Sequence, residues 1–144
     1  MIEATVDEAT ISQPQYGLLV ERDVEVPMRD GLNLKSDIFR PDDNGKFPVI
    51  MTLGPYPKNE HSDYGAGAEE KSQYMTWETA NPEWWVPRGY VEINVDARGS
   101  GVSPGFCDIL SPQETEDYYD AIEWAARQAW CDGNIGLMGI SYYA

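Results

Sequence analysis

The sequence predicts an α/β fold: a mostly parallel sheet with helices on both faces, entered through an N-terminal antiparallel hairpin. Val24 and Val26 alternate with Asp23 and Glu25, Arg29-Asp30-Gly31 makes a turn, and Leu32, Leu34, Ser36 and Ile38 alternate again, the pattern of a β-hairpin. Pro48-Val49-Ile50-Met51-Thr52-Leu53 is a continuous apolar run suited to a strand buried on both faces. From Tyr90 to Met138 a strand, a helix and a strand follow one another, the order that a parallel sheet with crossover helices requires.

Composition limits what such a fold does. The 144 residues are 42% hydrophobic and 12% aromatic, enough for a core and too apolar for a disordered chain. Lys+Arg 10 against Asp+Glu 25 gives a net charge of −15, which repels phosphate backbones and anionic bilayers, so neither nucleic acid nor a membrane is expected as a partner. Residues Met1 to Asp7 have no basic start and no apolar h-region, and nowhere do 18 apolar residues run together. A cytoplasmic protein is expected. Cys107 and Cys131 form no C-x-x-C pattern and His61 is the one histidine, so no metal or cofactor is expected, and the cysteines read as free thiols.

Residues 1–21 lack a sustained period and read as a tail or arm before a body of residues 22–144. After the apolar run, Gly54-Pro55-Tyr56-Pro57-Lys58 holds one tyrosine between two prolines, a stiff loop. Residues 59–80 are polar, Gly-bearing and long for a connection, hence a candidate functional loop. Asn81 as N-cap and Pro82 at the first helical position open a short helix that Pro87 and Gly89 end. Tyr90–Asp96 is a strand, followed by a glycine-rich loop to Gly105. Ser111, Pro112 and Glu114 form a capping box for a helix with Tyr118, Ala121, Ile122, Ala125 and Ala129 on one face. Asp132-Gly133-Asn134 is expected to close that helix and feed a buried strand, Ile135–Met138.

That strand runs into Gly139-Ile140-Ser141, the front half of a nucleophile elbow, in which the chain turns sharply and the serine hydroxyl stands clear of the sheet. On this stretch alone, an ordinary strand ending in Ser and Tyr accounts for the pattern equally well. Other candidates are weaker. Gly99-Ser100-Gly101-Val102-Ser103-Pro104 misses the third glycine of a dinucleotide fingerprint, and its helix starts too late. Glu116-Asp117 with Asp120, and Asp42-Asp43, read as a solvated helix face and a turn rather than a carboxylate pair. His61 reads as a loop histidine near a substrate entrance, Arg98 beside Asp96 as an ion pair or backbone-bonding fork, and Trp77, Trp84, Trp85, Trp124 and Trp130 as packing residues.

In this order, Val26-Pro27-Met28-Arg29-Asp30-Gly31, Gly54-Pro55-Tyr56-Pro57-Lys58, Asp96-Ala97-Arg98-Gly99-Ser100-Gly101-Val102-Ser103-Pro104-Gly105 and Trp130-Cys131-Asp132-Gly133-Asn134-Ile135-Gly136, leading to Gly139-Ile140-Ser141-Tyr142, form a specific set. From about Arg22 to Ala144 the chain resembles the N-terminal part of the cocaine-esterase and X-Pro dipeptidyl-peptidase-like serine hydrolases, which are α/β-hydrolases. The resemblance implies a truncated α/β-hydrolase sheet ending at the elbow. It makes Ser141 the nucleophile, the Tyr142 backbone N–H one oxyanion donor and the Tyr56 hydroxyl the other. It places the triad Asp and His, a helical cap and a jelly-roll domain later in the chain. Tyr143 and Ala144 depart from it, standing where many relatives carry a small glycine. The implied activity is cleavage of a carboxylic ester, amide or short peptide through an acyl-enzyme on Ser141, with oligomerisation of a full-length form left open. The alternatives are an X-Pro dipeptidyl-peptidase and a catalytically inactive remnant or interaction module.

Overall fold

Alternation of apolar and polar residues makes the first two strands pair. In the computed structural model, which describes residues 11–60, 72–76 and 78–143, β1 (Leu18–Pro27) pairs antiparallel with β2 (Asn33–Pro41). The turn between them closes through Gly31 N–H to the Met28 carbonyl, with Gly31 at φ +87°, where a side chain would be strained. β1 starts at Leu18, inside the stretch read as an arm. Just before it, the Gln15 and Tyr16 N–H groups both donate to the Pro87 carbonyl, and the Tyr16 ring meets Phe47 edge-on at 5.0 Å.

β3 (Phe47–Gly54) and β4 (Val91–Asp96) are parallel neighbours, and β5 (Cys131–Leu137) lies parallel to β3 on its other side. With β2 antiparallel to β4, the order is β1-β2-β4-β3-β5, a mixed open sheet. One face carries Leu34, Ile38, Val49, Met51, Leu53, Val91, Ile93 and Val95, and α2 (Pro112–Ala126) packs on it through Ala121 and Ala125. Two alanines four apart let the helix sit close, and each fully buried Val, Leu or Ile beneath it contributes roughly 1.5–3 kcal/mol. The other face of β4 carries Glu92, Asn94 and Asp96, all buried as well. α1 (Pro82–Trp85) and the 3-10 turn Val86–Arg88 lie against β4 and β2, with Asn81 capping and Gly89 ending the turn in the left-handed region.

Helix and strand ends differ from expectation in two further places. α2 stops at Ala126 and is closed by turns through Arg127 and Gln128, so Ala129 is exposed and outside it. Asp132-Gly133-Asn134 belongs to β5 at a register shift against β3, and β5 is a largely exposed edge strand rather than a buried one. An edge strand has a neighbour on one side only, which is what leaves its apolar residues in water. No helix among the described residues is long and apolar enough to cross a membrane. Cys107 is an exposed free thiol and Cys131 a buried one.

Candidate active site

Three strand ends meet on one side of the sheet. The loop after β3 carries Tyr56, the loop after β4 is rich in glycine, and the turn after β5 carries Ser141. β5 is tied to β3 past its last paired residue, since Met138 N–H donates to the Met51 carbonyl at 3.2 Å and Thr52 Oγ1 donates to the Met138 carbonyl at 2.7 Å. The chain then turns, and Ser141 takes φ +58°, opening a 3-10 turn over Ser141–Tyr143 with its residue exposed. A non-glycine residue in that region costs of order 1–3 kcal/mol and persists where its surroundings impose it. The surroundings here are tight. A Cβ at Gly139 would lie 2.1 Å from the Tyr143 Cβ and 2.6 Å from the Tyr143 carbonyl oxygen, so glycine is required.

Tyr56 sits beside this turn. Its ring meets Tyr142 at 6.3 Å and Tyr143 at 5.5 Å between centroids, both edge-on, and the residue is 38% exposed. The Tyr56 loop is anchored to the glycine-rich loop. Asp96, at the end of β4, accepts from the Lys58 N–H at 2.7 Å and the Val102 N–H at 2.9 Å, while Ser100 Oγ donates to the Pro55 carbonyl. Burial pushes the Asp96 carboxyl above its ordinary value against the pull of those N–H groups. Gly101 leaves room for it, since a Cβ there would lie 2.1 Å from Asp96 Oδ2. Beneath the loop, the buried Lys58 ammonium meets Asp37 at 2.9 Å and Asp23 at 2.5 Å, and Asp37 also pairs with Arg22. Burial alone would lower the Lys58 pKa; the bonds to Asp23 and Asp37 outweigh it and raise it.

Tyr142 has a partner the sequence did not announce. Its hydroxyl donates to Glu114 at 2.9 and 2.7 Å, and burial followed by that carboxylate pushes its pKa up to about 12. Glu114 was expected to close a capping box. The Ser111 half forms, with Ser111 Oγ accepting from Glu114 N–H, but the Glu114 carboxylate takes the Leu110 N–H and Tyr142 instead. Arg98 does not pair with Asp96 as expected. Its guanidinium forks onto Asp117 at 2.8 and 2.7 Å and reaches Asp30 at 2.8 Å, so it joins the hairpin turn to α2, and Asp117 is buried rather than solvated. Asp120 likewise bonds Arg29. An open cleft of about 610 Å³ runs beside β5, lined by Leu53, Leu110, Tyr118, Leu137, Met138 and Tyr143 among others. His61 and Trp77 lie outside the described residues. Among those described, no group of three or more His, Cys, Asp or Glu side chains is arranged to hold a metal ion.

A five-stranded open sheet in this order, with loops converging at the strand ends, is the architecture of an α/β-hydrolase, and solved structures similar to it agree. A CocE/NonD family hydrolase from Staphylococcus aureus superposes with a TM-score of 0.81 at 44% identity, over 88% of this chain and 23% of that one. The model of the X-Pro dipeptidyl-peptidase (S15) family matches residues 30–144, and the chain belongs to that family. It is 35% identical over 125 residues to the cocaine esterase of Rhodococcus sp. (strain MB1 Bresler), covering 85% of this chain and 19% of that protein. It is 28% identical over 163 residues to a putative Xaa-Pro dipeptidyl-peptidase of Bacillus cereus, covering 96% and 27%. The chain therefore spans about a fifth to a quarter of the length of these relatives.

Proposed function

We propose that this chain supplies the nucleophile and oxyanion donors of a serine hydrolase that cleaves carboxylic esters or amides through an acyl-enzyme on Ser141. The observation that carries it is the Ser141 turn: a serine at φ +58°, separated by three residues from the end of a parallel strand, with a glycine two residues before it that no larger residue could replace. Such a turn presents the hydroxyl for attack on a carbonyl carbon. In the tetrahedral intermediate the oxyanion takes hydrogen bonds from the Tyr142 backbone N–H and the Tyr56 hydroxyl. A phenol on a proline-stiffened loop is a preorganised donor, and one such donor is typically worth about 10²–10³ in rate. Deprotonation of Ser141 needs a base and a group that orients the base, and these are assigned to sequence outside the 144 residues. Ester cleavage is preferred over X-Pro dipeptide release because the cocaine esterase shares more identity with the chain, 35%, than the putative dipeptidyl-peptidase, 28%.

The test is labelling of the intact enzyme with a fluorophosphonate, with and without Ser141→Ala. Stoichiometric labelling that disappears in the variant, together with loss of aryl-ester hydrolysis, is the expected outcome. Labelling elsewhere with hydrolysis unchanged in Ser141→Ala would overturn it.

A further inference from the structure

We propose that Tyr143 is a positioning residue whose hydroxyl, by bonding the main-chain carbonyl of Tyr56, locks the loop of the oxyanion donor to the turn that carries Ser141. The inference rests on the roles given above to Ser141 and Tyr56. Two residues after the serine, Tyr143 reaches back across the site and its hydroxyl donates to the Tyr56 carbonyl oxygen at 3.1 Å. Its ring stands edge-on to that of Tyr56 at 5.5 Å. The path of the ring is cleared by two glycines: a Cβ at Gly54 would lie 2.1 Å from the ring's Cε1, and one at Gly139 would strike the Tyr143 Cβ. Burial and the nearby negative charge of Asp96 keep the phenol protonated well above neutral pH, so it remains a donor while the enzyme works.

The other ties on the loop point elsewhere. Ser100 holds the Pro55 carbonyl and Asp96 holds the Lys58 N–H, and both belong to β4 and its following loop. They fix the Tyr56 loop to β4, and β3, from which the loop leaves, is tied to β5 as far as Met138, three residues short of Ser141. The Tyr143 hydrogen bond ties the Tyr56 loop to the Ser141 turn directly. An oxyanion donor has to sit about 2.7–3.1 Å from the developing charge, and a misplacement of 1 Å can cost about 10²-fold. Loosening one tie without removing the donor should cost less than that.

A double-substitution cycle in the intact enzyme decides the matter, using an aryl ester and the variants Tyr143→Phe, Tyr56→Phe and both together. Tyr143→Phe keeps the ring on Gly54, and its thermal midpoint is recorded to show that the fold survives. It is expected to lower kcat about tenfold with KM within about twofold, and Tyr56→Phe alone to lower kcat by about 10²–10³. In the Tyr56→Phe background, Tyr143→Phe should then cost less than about twofold, because the donor it positions is gone. If the two effects multiply, or if Tyr143→Phe leaves kcat unchanged, Tyr143 does not act through Tyr56 and the proposal fails. An unchanged kcat in Tyr56→Phe alone would refute the oxyanion assignment itself, and this proposal with it, while leaving the Ser141 test above unaffected.

Discussion

At Glu92 the sheet buries a carboxyl on the face turned away from α2, and burial pushes its pKa from 4.5 up to about 8. Between those two values the folded chain keeps a proton that the unfolded chain has lost, so stability falls as pH rises through that window and levels off above it. The slope from this one group approaches about 1.4 kcal/mol per pH unit. Glu92→Gln removes the ionisation, and urea unfolding of both proteins is expected to show the variant the more stable at pH 8 and the two nearly equal at pH 4. A difference that does not change with pH would mean the carboxyl ionises freely when folded. Asp23, held down by Lys58, and Asp120, held down by Arg29, act with the opposite sign, losing their contribution only as pH falls through their lowered values. They lie outside the window. Single residues differ in what they disclose in advance. Tyr56 and Ser141 could be singled out because prolines and glycines mark their backbones locally, but the bonds from Tyr142 to Glu114 and from Tyr143 to Tyr56 join residues 28 and 87 apart and leave no local trace.

Among the elements, starts were legible and ends less so. The caps of α1 and α2 are local chemistry, Asn81 with Pro82 and Ser111 with Pro112, and both form; a cap of this kind contributes about 1 kcal/mol. The end of α2 has no comparable signal, because Arg127 to Trp130 close it with backbone turns and Gly133 serves a shift of register within β5. Burial of β4 on both faces was equally hidden, since alternation puts the polar Glu92, Asn94 and Asp96 on one face and carries no sign that this face is covered. β5 carries the largest physical consequence. Its outer edge is unpaired among the described residues, Leu137 is 54% exposed and Ile140 59%, and the apolar cleft lies alongside. A net charge of −15 opposes association of two such edges at low ionic strength, and salt screens that repulsion, the Debye length falling from about 30 Å at 0.01 M to about 3 Å at 1 M. Sedimentation of the 144-residue chain should therefore show self-association growing with salt. A single monomeric species at every ionic strength would mean that the edge is not a contact surface.

For the molecule as a whole, the sheet order places β3 between β4 and β5, so the ends of these three strands stand side by side and their loops share one frame. The fold class, the hairpin and the strand–helix–strand order were readable because periodicity and apolar runs are properties of the chain itself; the frame was not, because it exists only once the strands are ordered in space. Asp96 is its hinge pin, a buried carboxylate receiving an N–H from each of two loops. An amide bonded in this way exchanges its hydrogen with solvent only when the bond opens, so the rate of exchange reads the free energy of opening. Lys58 and Val102, though both lie in loops, are thus expected to take up deuterium on the timescale of β3 and β4 rather than in seconds. Rapid labelling at Lys58 beside a slow β4 would show the loop breathing independently. Slow labelling at both would mean that the rigidity of the strands extends past their ends into the rim that carries Tyr56 and Ser141, which would then open only when the sheet beneath it does.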